Sequence, residues 1–132
     1  MNTEVTFTQI EPLYKKPNGL YVQEIDRTDL PFGFDPVVRH LVTIPASGIS
    51  ANHLHPRTEA FIGIGNDLEF FWLDANGNRQ SRAMNPDNQL LLVLVPPNVP
   101  HAIKNNSDTP AILLEYADKK QTESDITNVN VI

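Results

Sequence analysis

The chain contains no cysteine, which excludes a disulfide framework, a thiolate metal site and a cysteine nucleophile, and leaves the redox compartment open. It also lacks any basic run. With 10 Lys and Arg against 16 Asp and Glu, the net charge is -6, which suits a soluble protein and excludes the clustered cations that a nucleic-acid backbone requires. The segment Met1 to Val5 does not have a basic stretch followed by an apolar one, so neither a signal peptide nor a membrane anchor is expected, and the expected location is cytoplasmic. The longest apolar run, Leu90 to Val95, is too short to span a bilayer. Long uninterrupted segments are missing as well. Eleven prolines and six glycines are spread along the sequence and leave little room for a long helix, which points to an all-β chain of short strands.

What is present supports that reading. A hydrophobic content of 40% in 132 residues is enough to build one core, and a single domain over 1–132 is expected. Val5 and Phe7 alternate with threonines as a first strand, Lys16 to Gly19 forms a turn, and Leu20 to Ile25 reads as a second strand. Asp29 to Pro36 is a loop whose Phe32 and Phe34 can cover an apolar surface. Val37 to Ile44 is β-branched and bounded by prolines. Ala60 to Ile64, Leu68 to Asp74 and Gln80 to Met84 follow as strands. Asn76-Gly77 forms a hairpin signal that readily supplies positive φ at both central positions. Leu90 to Val95 is too continuous for an exposed strand and is expected to be central and covered on both faces. Ala102 to Asn105 and Ala111 to Tyr116 complete the strands. From Ala117 the composition turns polar, with Ile126, Val129, Val131 and Ile132 available for docking.

The stretch Asn52 to Glu59 carries the chemistry. Alternation along a strand places His53 and His55 on one face, and Glu59 shares their parity if the chain recovers its register after Pro56. His101, directly after the rigid turn Pro96 to Pro100, is a candidate fourth ligand. Neutral imidazoles and a carboxylate suit iron, manganese, nickel, zinc or copper, and an incomplete shell leaves a position for water or substrate. The competing reading is a set of polar residues on the wet side of an edge strand. His40 reads as a half-buried histidine satisfied by a neighbour.

His-x-His-x-x-x-Glu in the first half and Pro-x-x-x-x-His-x-x-x-Asn in the second resemble the two motifs of the cupin superfamily. The resemblance covers about 37–116 as the barrel core, with 1–36 as N-terminal strands and loop and 117–132 as a polar C-terminal tail. It implies an antiparallel β-barrel of the jelly-roll, double-stranded β-helix type, with one divalent transition metal held by His53, His55, Glu59 and His101. Pro96 and Asn105 match the second motif. Asn98 stands where that motif usually has glycine, a mild change because asparagine tolerates left-handed backbone. Cupins include dioxygenases, isomerases, epimerases, decarboxylases, lyases and non-catalytic binders. The expected function is metal-dependent oxygenation or isomerisation of a small organic metabolite. The alternatives are a non-catalytic small-molecule or sugar binder and a metal-free sugar-nucleotide epimerase. Phe61 and Tyr116 are pocket candidates. Ala60, Ile62 and Ile64 have the opposite parity to the ligands, and unless the chain's own N-terminus covers them they imply a homodimer.

Overall fold

Short apolar runs bounded by proline and glycine pair as antiparallel strands throughout the computed structural model, which describes residues 4–24, 35–65 and 67–132. The strands are β1 Thr6–Gln9, β2 Tyr14–Lys15, β3 Tyr21–Val22, β4 Val38–Ile44, β5 Ile49–Leu54 and β6 Glu59–Ile64. They continue with β7 Leu68–Leu73, β8 Arg79–Ala83, β9 Leu91–Val95, β10 His101–Asn105, β11 Ala111–Ala117 and β12 Thr127–Asn128. One sheet has the order β1-β9-β6-β11-β4 and the other β12-β5-β10-β7-β8, while β2 and β3 pair separately. Every pairing is antiparallel.

The core lies between the two five-stranded sheets. Ile44, Phe61, Val93, Val95 and Leu113 from the first sheet pack with Leu68, Phe70 and Ile103 from the second. β9 is covered on both faces, as its continuous apolar sequence requires. Its Val93 and Val95 belong to this core, whereas Leu92 joins Ile10, Ala60, Ile62, Leu114 and Tyr116 in a separate cluster on the other side of the sheet. That cluster corrects one premise of the dimer argument. Ala60 and Ile62 are fully buried within the single chain, in part under Ile10. Ile64, Leu41 and Ile112 remain exposed at 44%, 65% and 38%.

Two further sequence expectations change in detail, and a third is not tested. The second strand shrinks to Tyr21–Val22 against Tyr14–Lys15, and the loop carrying Phe32 and Phe34 lies outside the described residues. The hairpin at Asn76-Gly77 forms with positive φ at Gly77 but not at Asn76, because the Asp74 carboxylate accepts the backbone N–H groups of both Asn76 and Asn78. No helix among the described residues is long and apolar enough to cross a membrane.

Candidate metal centre

A bulge in β5 sets the first candidate ligand. Ile103 pairs with Ser50 and Ala102 with Ala51, but His101 pairs with His53, so one residue is skipped opposite β10. Ala51 and Asn52 take positive φ values of 72° and 61° at that point. Side chains alternate strictly along a strand, so without the extra residue Asn52 would face His101 and His53 would face outward. The displaced Asn52 is used elsewhere. Its Oδ1 accepts the N–H groups of Val131 and Ile132, its Nδ2 donates to the Ile132 carbonyl, and its own carbonyl accepts the Val129 N–H. The polar tail therefore docks on the barrel, with Thr127 and Asn128 pairing against Leu54 and His53.

The turn after β5 brings His55 and Glu59 onto the same centre. Asp118 fixes it from the far side of the chain. Its carboxylate accepts the Thr58 N–H at 3.0 Å, and its own N–H donates to the Thr58 carbonyl at 3.2 Å. His101 enters from the start of β10, and its Nδ1–H donates to the Val99 carbonyl at 2.8 Å. That bond leaves the Nε2 lone pair facing the centre. The His101 ring stacks on Phe70 with centroids 6.0 Å apart and lies 5.8 Å from Phe61.

The rings of His53, His55 and His101 form a triangle with centroid separations of 4.9, 5.2 and 5.3 Å. One donor atom from each of these histidines and one from Glu59 lie within 4.8 Å of one another. Donors bound at roughly 2.0–2.2 Å to one ion can be at most about 4.4 Å apart. The set is therefore gathered to within a few tenths of an ångström of what an ion requires. Glu59 Oε1 is 2.7 Å from His55 Nε2 and 3.2 Å from His101 Nε2, yet all of these buried atoms lack a hydrogen bond of proper geometry. A lone pair aimed at a buried carboxylate is unfavourable unless a cation lies between them. The chemistry of the donor set fits a divalent transition metal.

Ionisation states agree with that use. Burial first, then the charges of His101 and His55, lower the His53 pKa to about 4, so its ring is in the neutral, ligating form at neutral pH. Burial works against the Glu59 carboxylate, but its contacts with His101 and His55 outweigh it and hold the carboxyl well below the usual range.

All four sequence-predicted ligands come together, and Phe61 lies beside His101 in the core. Tyr116 does not. It packs with Ala60 and Ile62 on the opposite side of the sheet, because it pairs with Ala60, whose parity is opposite to that of the ligand Glu59. His40 is not half-buried. Its side chain is 61% exposed, although it does have a partner, Glu115 Oε2 at 3.2 Å. Sequence reasoning missed Arg57, which lies between two ligands and is buried against Glu59; its one visible signal was the odd numbering it shares with them.

No protein-family model matches the sequence, and no curated protein matches it. Solved structures do. The chain is similar to a dTDP-sugar isomerase from Desulfovibrio desulfuricans G20, at 16% identity and a TM-score of 0.77, over 96% of this chain and 84% of that one. It is similar to the 3,4-ketoisomerase QdtA from Thermoanaerobacterium thermosaccharolyticum, at 12% identity and a TM-score of 0.73, over 96% and 88%. It also resembles the capsular polysaccharide assembling protein CapF from Staphylococcus aureus, at 18% identity and a TM-score of 0.65, over 74% of this chain and 29% of that one. The chain thus spans less than a third of CapF. At these identities the likeness concerns the fold alone, that of two antiparallel sheets packed around one core.

Proposed function

We propose that this chain is a cupin enzyme that holds one divalent transition metal through His53, His55, Glu59 and His101 and isomerises a small carbonyl-bearing metabolite, with a sugar derivative as the substrate class. The observation that carries the metal is the convergence of His55 Nε2, Glu59 Oε1 and His101 Nε2, all buried and none hydrogen-bonded. When bound, such an ion polarises a carbonyl and acidifies the adjacent C–H. The chain does the positioning. Phe61 and Phe70 close the side behind His101 to water, and His53, the only ligand not fully buried, marks the side from which a substrate arrives. The likeness to sugar isomerases supports isomerisation over oxygenation, as analogy of fold.

A metal-free sugar-nucleotide isomerase is the second reading, favoured by the same likeness. Elemental analysis after reconstitution with iron, manganese, nickel, zinc and copper, combined with proton–deuterium exchange on a panel of keto sugars and dTDP-sugars, separates the readings. The expected result is close to one metal per chain and exchange that is lost on chelation. Exchange without bound metal overturns the metal reading in favour of the second. Oxygen uptake without isomerisation overturns the reaction type. We further infer a homodimer, through the exposed apolar residues Leu41, Ile64 and Ile112.

A further inference from the structure

Arg57 is buried beside the proposed ion, and its donors are distributed in an unusual way. A guanidinium normally meets a carboxylate with two parallel bonds, one to each oxygen. Here Nε–H and Nη2–H both donate to the same oxygen, Glu59 Oε2, at 3.1 and 2.7 Å. Glu59 Oε1 receives no hydrogen bond. The guanidinium is held in this pose from behind. Its Nη1 donates to the Lys119 carbonyl at 3.3 Å, Nη2 lies 3.5 Å from Glu115 Oε1, and the side chain is only 6% exposed. Glu115 in turn meets His40 at 3.2 Å.

We propose that Arg57 is a positioning residue that makes Glu59 a one-oxygen ligand and so keeps an additional coordination position of the ion open for substrate. This rests on the metal reading above. With Oε2 occupied by two donors, only Oε1 reaches the ion, and three imidazoles plus one oxygen leave two positions of an octahedron vacant. With Oε2 released, both oxygens bind, and one of those positions is lost. Without the guanidinium, the buried Glu59 carboxylate keeps only the neighbouring Glu115 carboxyl on that side, so an ion is its most favourable partner.

The test is cobalt(II) loading of the full chain, read by visible absorption and by a crystal structure of the loaded protein, for wild type, Arg57→Met and Arg57→Lys. Methionine keeps the length of the stem without donors. Lysine keeps the charge but has no fork to place two donors on one oxygen. The expected results are a one-oxygen Glu59 in wild type, two-oxygen binding with weaker cobalt absorption in R57M, and cobalt affinity lower by roughly 10–100-fold, as for other residues that support a ligand. R57K is expected to shift the spectrum in the same direction, and it carries the test if R57M does not fold. Wild-type spectra in the folded variants overturn the role of Arg57 and leave the metal reading standing. Failure of the wild type to take up cobalt or any other divalent metal overturns both.

Discussion

The backbone N–H of Asn98 donates to the carbonyl of His55 across 2.8 Å, and it does so from a left-handed backbone with φ of 64°. The second-motif turn is thereby bonded to a first-motif ligand. Glycine at this position removes the steric cost of positive φ and keeps the bond, so Asn98→Gly is expected to leave stability and metal binding close to wild type. Asn98→Val, which places a branched side chain at positive φ, is expected to cost about 1–3 kcal/mol. Urea unfolding of the chelated protein checks both.

Asn105 is fully buried, and its role is to close a corner of the barrel. Its Nδ2 donates one hydrogen to the Thr109 carbonyl and shares the other between the carbonyls of Ile44 and Pro45, and its Oδ1 accepts from the backbone and hydroxyl of Ser107. Asn105→Ala removes these bonds from a fully buried site, while the Pro45 and Thr109 carbonyls keep Gly48 N–H and the Ser107 hydroxyl as donors, and it is expected to destabilise by about 1–3 kcal/mol in thermal or urea unfolding. Asn105→Asp turns an acceptor toward those carbonyls and is expected to be at least as damaging at neutral pH.

The chelated protein is expected to lose stability as the pH falls from about 6.5 to about 4. His53 has an unperturbed pKa of 6.5 and a folded-state value of about 4. Between these values the unfolded chain takes up the proton and the folded chain does not, so protonation favours unfolding, and above 6.5 the contribution is constant. Unfolding curves across this range check the sign. His53→Gln is expected to flatten the slope in that window.

Cutting the chain before Thr127 removes the strand that pairs with Leu54 and His53 and the hydrogen-bond partners of the Asn52 side chain in Val131 and Ile132. Zinc affinity is expected to fall roughly tenfold, in line with the loss of groups that orient a ligand. Competition titration against a chromophoric chelator measures it, and an unchanged affinity refutes a role for the tail in placing His53.

If Leu41, Ile64 and Ile112 form the contact between copies, light scattering of the wild type gives twice the chain mass and Leu41→Glu with Ile112→Lys gives the chain mass. A wild-type monomer refutes the interface.

Much of the fold was legible because strand length and the spacing of proline and glycine follow from composition and local sterics. The candidate ligands were legible as a set because residues that bind an ion must be of few chemical types. What escaped depends on contacts between distant segments. Nothing in Asp118-Lys119 shows that an aspartate carboxylate and a lysine carbonyl hold the turn around Arg57. The outward face of Ala60 and Ile62 was read correctly, but its cover by Ile10 involves a segment about fifty residues earlier in the chain. Alternation predicted His53 and His55 on one face, yet it assumed an unbroken strand. The skipped residue at Asn52 shows itself only in the pairing with β10.

That skipped residue separates possessing the ligands from presenting them. A relative could keep every histidine and the glutamate, lose one residue from β5, and turn His53 out of the barrel while its sequence still matched the motif. Gain or loss of the centre among such barrels can therefore proceed by insertion and deletion as well as by replacement of ligands. For this fold, a search for competent sites has to count the backbone of β5 up to His53 as carefully as it reads the letters.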